Sequence, residues 1–98
     1  FLVKYNSSGT KQWTQQLGTP TSEGGNGVAV DSSDNIYITG NTNGGLDGNT
    51  NSGEKDIFLV KYNSSGTKQW TQQLGTPTFE EGNGVAVDSS DNIYVTGW

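Results

Sequence analysis

The chain has 98 residues, of which 29% are hydrophobic, and it carries a formal net charge of −5 at pH 7. Its five basic residues are all lysines and form no basic stripe, so we expect no nucleic acid partner, because such binding requires displacing phosphate counterions. Cysteine and histidine are absent, which excludes disulfides, thiolate metal sites and a histidine general base. The sequence also lacks a run of apolar residues long enough to span a membrane.

The first predicted element is a β-hairpin at the start of the chain. The opening residues, Phe-Leu-Val-Lys-Tyr, alternate so that Phe1, Val3 and Tyr5 share one face of a strand. Asn-Ser-Ser-Gly follows at residues 6–9 and predicts a turn. Residues 11–17 then return as a second strand centred on Trp13.

A second hairpin is predicted over residues 27–40, Gly-Val-Ala-Val-Asp-Ser-Ser-Asp-Asn-Ile-Tyr-Ile-Thr-Gly. Its Asp and Ser side chains can bond the backbone at the bend and close the turn. A loop rich in Gly, Thr and Pro is expected before it, at residues 18–26, and a long polar loop after it, at residues 41–57. Period-two alternation places four apolar side chains on one face: Val28, Val30, Ile36 and Ile38.

The whole pattern is a tandem repeat. A shift of 57 residues aligns residues 1–40 with residues 58–97, and three of those forty positions differ. Two of the three fall in the loop before the 27–40 hairpin or its copy, where binding can change without disturbing a core. The differing pairs are Ser22 and Phe79, Gly24 and Glu81, and Ile38 and Val95.

Four short strands per unit, with aromatic and glycine residues at fixed places, are typical of a β-propeller blade. The motifs Phe-Leu-Val-Lys-Tyr-Asn-Ser-Ser-Gly, Trp-Thr-Gln-Gln-Leu-Gly and Gly-Val-Ala-Val-Asp-Ser-Ser-Asp-Asn-Ile-Tyr-Ile-Thr-Gly resemble the bacterial SBBP-type β-propeller repeat, which is related to NHL repeats. The resemblance implies an all-β fold of blades with four antiparallel strands. It places Gly-Val-Ala-Val innermost, Ile-Tyr-Ile-Thr-Gly second, Phe-Leu-Val-Lys-Tyr third and the Trp strand outermost.

This strand order predicts two blades' worth of strands cut in the middle of a blade. Residues 1–18 would be the outer two strands of one blade, and residues 84–98 the inner two strands of another. Residues 27–74 would be a complete blade with the polar loop 41–57 inserted. Because propellers use about four to eight blades, we expect other blades as partners, from a homo-oligomeric ring or from a longer chain.

Residues 47–56, Asp-Gly-Asn-Thr-Asn-Ser-Gly-Glu-Lys-Asp, are the candidate metal site. Alternating oxygen side chains, a Gly turn and a later carboxylate are how a loop surrounds Ca²⁺. The pattern is similar to the calcium loops of integrin α-chain propellers, although it has one extra residue before Gly53 and Asn at two early carboxylate positions. Calcium is the candidate cofactor, and the other interpretation of these residues is a solvated loop of Asx turns. The candidate ligands are Asp47, Asn49, Asn51, Glu54 and Asp56.

Two further sets of residues have a functional and a structural interpretation. The turn carboxylates can be read as acid–base pairs, but turn chemistry explains them in both units, and we favour that role. The strand aromatics can be read as sugar-stacking platforms, but we favour packing between blades. The carboxylates are Asp31, Asp34, Asp88 and Asp91, and the aromatics are Tyr5, Trp13, Tyr37, Tyr62, Trp70 and Tyr94.

These observations favour a non-catalytic propeller segment that serves as a structural or interaction scaffold of an exported bacterial protein. The alternative is a calcium-dependent, carbohydrate-binding propeller that resembles a lectin in function. A lyase or hydrolase of the kind some related propellers host is the weakest interpretation, because such sites typically need histidines or metals. An extracellular or cell-surface location follows from the resemblance, and the expected ligand is a glycan or a protein.

Overall fold

A computed structural model describes residues 1–19 and 21–98 of the chain. Pro20, which the sequence places in the first predicted loop, lies outside the described residues. A single turn of 3₁₀ helix, Leu46–Gly48, lies between the fourth and fifth strands. The strands of the described residues are β1 (Leu2–Tyr5), β2 (Lys11–Gln15), β3 (Glu23–Val30), β4 (Ile36–Thr42), β5 (Asp56–Tyr62), β6 (Lys68–Leu74), β7 (Gly82–Val87) and β8 (Ile93–Gly97).

The strands form three antiparallel sheets. The central sheet has four strands in the order β3-β4-β5-β6, and two-stranded sheets, β1-β2 and β7-β8, accompany it. The all-β fold with four-stranded antiparallel blades, expected from the sequence, is therefore confirmed. In the part of the chain that the structure describes, no helix has the length and apolar character needed to cross a membrane.

The central sheet is longer than the sequence pattern predicts. β3 begins at Glu23 instead of residue 27, because its first residues continue to pair with the end of β4, where Glu23 lies opposite Thr42. The register shifts between Gly25 and Gly27, so Asn26 bulges out of the ladder and interrupts the alternation that would reveal the strand. β5 likewise begins earlier than predicted, at Asp56. The loops are therefore shorter than the predicted ranges of 18–26 and 41–57.

The core lies on one face of the central sheet. Ile38 pairs with Val60, and Ile36 pairs with Tyr62, which places these four side chains together. Burying each such side chain contributes about 1.5–3 kcal/mol to folding. Three residues of the first hairpin region pack against this cluster and cover it: Leu2, Trp13 and Leu17.

Val28 and Val30 share the core face, as the sequence predicts, because they pair with Ile38 and Ile36. Both valines are nevertheless exposed, whereas the isoleucines are buried. The hairpin β1-β2 covers only the part of the face formed by the later strands. Sequence alternation therefore identified the face correctly but could not show which part of it is covered.

The β1-β2 hairpin contacts the tip of the β5-β6 hairpin. The indole Nε1 of Trp13 donates a 3.3 Å hydrogen bond to the carbonyl oxygen of Ser64, and Nζ of Lys4 donates a 3.1 Å bond to the same oxygen. Gly66, with a φ of +85°, lies directly against the Trp13 ring. The outer hairpins of successive blades are thus linked.

On its other side the central sheet packs against β7, which contacts β3 and β4. The amide of the bulged Asn26 donates a 2.8 Å hydrogen bond to the carbonyl oxygen of Gly82. At Gly27, an added Cβ would lie 3.3 Å from Cα of Gly84, so the two innermost strands approach closely. The complete blade is therefore enclosed by a half blade on each face.

Candidate functional site

The carboxylate of Asp31 organises the turn between β3 and β4. Its Oδ1 accepts hydrogen bonds of 2.9 Å from the backbone N–H groups of Ser33 and Asn35. Its Oδ2 accepts a 3.1 Å bond from the Asn35 amide and a 2.8 Å bond from the Tyr37 hydroxyl. Asp88 accepts the corresponding four bonds in the second unit. The predicted turn role of these two carboxylates is confirmed.

These hydrogen bonds hold Asp31 in its ionised form. Burial raises the pKa of this carboxyl, but the bonds donated by Tyr37, Asn35 and Ser33 outweigh burial and lower the pKa to about 2. Burial and the bond to Asp31 raise the pKa of the Tyr37 phenol to about 12. Neither group titrates near neutral pH, where a general acid or base works best.

The second carboxylate of each turn has a different position. Asp34 and Asp91 adopt left-handed backbone conformations, with φ values of +64° and +63°. The Asp91 carboxylate accepts bonds from the backbone N–H of Ser32 at 3.2 Å and from the Ser32 hydroxyl at 2.9 Å. The sequence analysis did not predict this link between blades. The repeated turn sequence could have indicated it, because stacked units bring equivalent turns side by side.

The first part of the candidate metal loop lies beside β6. Asp47 accepts a 2.9 Å bond from Nζ of Lys68 and a bond from the hydroxyl of Thr71. The Thr71 bond, followed by the Lys68 bond, lowers the pKa of the Asp47 carboxyl. The amide of Asn49 donates to the carbonyl oxygen of Leu46 at 2.7 Å. Asp47 is thus engaged with the outermost strand of the blade.

The second part of the loop surrounds Asp56, whose side chain is completely buried. Its Oδ2 accepts bonds of 2.6 Å from the Ser52 backbone N–H and 3.0 Å from the Gln73 amide. Its Oδ1 has no hydrogen-bond partner among the described residues. Oδ1 of Asn51 accepts a bond from Gly53, and Glu54 is exposed.

Of the five predicted calcium ligands, Asp47 and Asn49 therefore bond Lys68, Thr71 and Leu46, whereas Asp56 bonds Ser52 and Gln73. Within residues 1–19 and 21–98, no three acidic side chains lie close enough together to hold a metal ion. Asp56 is the member of the set that offers a buried carboxylate oxygen without a hydrogen-bond partner in those residues.

Inside the complete blade, aromatic side chains on the strands pack against other residues, as the sequence analysis favoured. Tyr37 and Tyr62 are buried there, and the rings of Tyr37 and Trp70 lie 6.1 Å apart. Trp13 packs against the core from the first hairpin. Tyr5 and Tyr94 are exposed, and they lie on β1 and β8, each of which has one neighbouring strand among the described residues, whereas Tyr62 and Tyr37 lie on β5 and β4, which have two.

Two of the positions that differ between the repeats meet at one end of the second unit. Phe79 contacts Trp98 with a ring separation of 5.6 Å, and Nζ of Lys55 lies 4.4 Å from the centre of the Phe79 ring. Lys55 also forms a 3.3 Å ion pair with Glu81. We call Lys55, Phe79, Glu81 and Trp98 the aromatic end surface. The equivalent positions of the first unit are Ser22, Gly24 and Asn41.

Two proteins are similar in sequence to nearly the whole chain. The WD repeat-containing protein L264 of Acanthamoeba polyphaga mimivirus is 28% identical over 108 residues, covering 99% of this chain and 8% of that protein. The regulatory protein FlaEY of Caulobacter vibrioides is 30% identical over 104 residues, covering 98% of this chain and 11% of that protein. The chain thus spans about a tenth of the length of these relatives.

The family comparison agrees with the geometry. Residues 12–47 and 69–98, about two thirds of the chain, match the SBBP β-propeller repeat. The two matches begin 57 residues apart, which is the period of the sequence repeat. The chain belongs to the SBBP β-propeller repeat family.

Proposed function

We propose that this chain is a non-catalytic scaffold segment of an exported bacterial propeller protein, and that its blades present a surface for binding another protein. The observation that carries the proposal is the distribution of differences between the two units. Core, turn and strand residues repeat almost unchanged, whereas two of the three differences contribute to the aromatic end surface. The WD-repeat name of one relative supports a repeat scaffold.

The chemistry of the aromatic end surface suits a protein partner. Phe79 and Trp98 are both exposed, and aromatic side chains are enriched among residues that dominate binding energy at protein interfaces. The Lys55–Glu81 ion pair lies at the edge of the two rings, where charged groups mainly set partner choice and association rate. The first unit has Ser22 and Gly24 at the positions equivalent to Phe79 and Glu81, so it carries neither the aromatic ring nor the acidic side chain there.

The test is capture of secreted proteins from the source bacterium, with the unmodified chain and two variants as bait. Phe79→Ser combined with Glu81→Gly gives the second unit the residues of the first and is expected to abolish capture of a specific protein. Leu74→Ser, which changes an exposed apolar residue outside this surface, is expected to retain it. A partner retained equally by both variants, or turnover of glycan substrates by the chain, would contradict the proposal.

A calcium-dependent, carbohydrate-binding propeller is the second candidate function. The observation that favours it is Asp56, whose buried Oδ1 has no hydrogen-bond partner in the described residues. A buried carboxylate oxygen is costly unless it is paired or coordinates a metal. A Ca²⁺ ion bound at Asp56 would draw its remaining oxygen ligands from the neighbouring loop, which carries the Asn51 and Glu54 side chains.

A further inference from the structure

Two asparagines of the chain stand in the tripeptide Asn-Ser-Ser, at residues 6–8 and 63–65. Asparagine followed by any residue except proline, and then by serine or threonine, is the acceptor motif for N-linked glycans. The other asparagines lack a serine or threonine two positions later. Both copies of the motif lie in the turn of an outer hairpin, between β1 and β2 or between β5 and β6. The motif therefore falls at a surface turn, where a bulky group can be attached.

The turn uses one atom of the asparagine amide and leaves the other available. Oδ1 of Asn6 accepts hydrogen bonds from the backbone N–H groups of Ser8 at 3.0 Å and Thr10 at 2.9 Å. Oδ1 of Asn63 accepts the two corresponding bonds at the same distances. In neither copy does Nδ2 bond a residue that the structure describes. An N-linked glycan attaches to Nδ2, so its addition leaves the bonds that form the turn in place.

The two copies together show that neighbouring blades leave the motif accessible. The first hairpin lies against the complete blade that follows it, and Asn6 and Ser8 are exposed. The second hairpin has the preceding hairpin beside it, which bonds the carbonyl oxygen of Ser64. Asn63 is half-buried there, and Ser65 is exposed. Neither a following nor a preceding blade therefore covers the asparagine and the second serine of the motif.

We propose that Asn6 and Asn63 are sites of N-linked glycosylation, an inference that rests on the exported location proposed above. The donor is an oligosaccharide linked through a diphosphate to a lipid, and the catalyst is an oligosaccharyltransferase. Nδ2 of the asparagine forms a bond to C1 of the first sugar, and the bond from C1 to the diphosphate oxygen breaks. The lipid diphosphate leaves, and a base of the transferase takes the proton that Nδ2 loses. Each 57-residue unit thus carries one acceptor.

The acceptor turns and the aromatic end surface lie at opposite ends of the blade. β5 runs from Asp56 to Tyr62, so Lys55 precedes its start and Asn63 follows its end. The seven residues of β5 separate these two ends by about 20 Å. β6 returns to the first end, where Phe79 contacts Lys55. Glycans on the outer turns would therefore leave the aromatic end surface free for a protein partner.

Mass spectrometry of the protein from the culture medium and from the cells of the source bacterium tests the proposal. Trypsin, which cleaves after lysine, releases both motifs as the same peptide, Tyr-Asn-Ser-Ser-Gly-Thr-Lys, from residues 5–11 and 62–68. In exported protein this peptide is expected to carry a glycan, and fragmentation that keeps the glycan attached is expected to place it on the asparagine. Unmodified peptide in exported protein would overturn the glycosylation proposal and leave the exported scaffold standing. Protein confined to the cells would overturn both.

Three double variants, produced in the same bacterium, test the motif itself. Ser8→Ala with Ser65→Ala removes the acceptor motif but keeps both asparagines and the backbone bonds of the turns, so both glycans should be lost. Ser7→Ala with Ser64→Ala is the matched control, because it changes the middle serine, and it is expected to keep both glycans. Ser8→Thr with Ser65→Thr preserves the motif and should also keep them. Glycans that persist in the first variant, or that are lost equally in the control, would overturn the proposal.

Discussion

The hydroxyl of Tyr37 donates a 2.8 Å hydrogen bond to the carboxylate of Asp31, which joins the second residue of β4 to the turn that precedes it. The same bond recurs at 2.9 Å between Tyr94 and Asp88. In the complete blade this pair is buried, whereas Tyr94 in the half blade is exposed. The chain therefore contains its own control for the effect of burial on the turn.

Lowering the pH should destabilise the chain through Asp31. Its folded-state pKa of about 2 lies below the ordinary value of 3.8, so the folded state favours the ionised form. The stabilisation is complete above pH 3.8 and is lost as the pH falls towards 2. Urea denaturation at pH 5 and at pH 2.5 is expected to show a lower unfolding midpoint at acid pH, and Asp31→Asn should reduce that difference.

Asp88→Asn is the matched variant for this experiment. The pKa of Asp88 is also lowered, first by the backbone bond from Asn92 and then by the Asn92 side chain, so its effect has the same sign. Because Asp88 is half-buried and its partner Tyr94 is exposed, solvent also hydrates this pair, and we expect a smaller change than for Asp31→Asn. A larger effect for Asp88→Asn would contradict the assignment of the acid sensitivity to the buried pair of Asp31 and Tyr37.

Truncation of Phe58 and Phe1 should have very different consequences. Phe58→Ala leaves a cavity in the core and is expected to lower the free energy of unfolding by about 3–5 kcal/mol. Phe1→Ala, at a side chain that is 85% exposed, should change it by less than about 0.5 kcal/mol. Urea denaturation followed by tryptophan fluorescence measures both, and similar losses for the two variants would contradict the placement of the core.

Alanine substitution in the outer hairpin turns should separate backbone strain from packing. Gly9 and Gly66 have φ values of +81° and +85°, so alanine at either position costs about 1–2 kcal/mol. At Gly66 the added Cβ would also lie 2.8 Å from Cδ2 of Trp13, whereas Gly9 has open space. Gly66→Ala should therefore lower the free energy of unfolding more than Gly9→Ala, by about a further 1–3 kcal/mol.

The fluorescence of the folded chain checks this explanation. A displaced Trp13 ring would be more hydrated, so its emission is expected to shift to longer wavelength in Gly66→Ala and to stay unchanged in Gly9→Ala. Equal unfolding midpoints for the two variants would show that the Trp13 ring moves away from the added Cβ without lowering the free energy of unfolding.

Calcium binding, which stays a prediction, can be tested by thermal unfolding with millimolar CaCl₂ and with a chelator. If Asp56 holds the ion, calcium should raise the melting temperature of the unmodified chain and of Asp47→Asn, but not that of Asp56→Asn. The choice of variants follows from the hydrogen bonds, since Asp47 is already paired with Lys68. Unfolding that does not respond to calcium in any of the three proteins would end the calcium hypothesis.

The local sequence pattern was sufficient to predict the hairpins and the residues that share each face of them. Val28 and Ile38 lie opposite each other because period-two alternation fixes which residues share a face. The turn role of Asp31 was equally predictable, since it depends on neighbours within six residues. These features are local, so one sequence contains all the information they need.

Other features depend on contacts that local pattern does not encode. The early start of β3 at Glu23 was hidden by the bulge at Asn26, which breaks the alternation. The link from Ser32 to Asp91 joins residues 59 positions apart, and only the stacking of two units brings them together. The bonds from Lys68 and Thr71 to Asp47 join residues 21 and 24 positions apart, so local pattern could not show that this carboxylate is already paired.

The connection between β4 and β5 joins two successive repeats inside one blade. Each complete sheet is therefore assembled from the second hairpin of one repeat and the first hairpin of the next. A recombination event that adds or removes 57 residues anywhere in such an array rejoins equivalent strands and leaves every remaining sheet intact. The number of blades can consequently change during evolution without any intermediate in which a blade is broken.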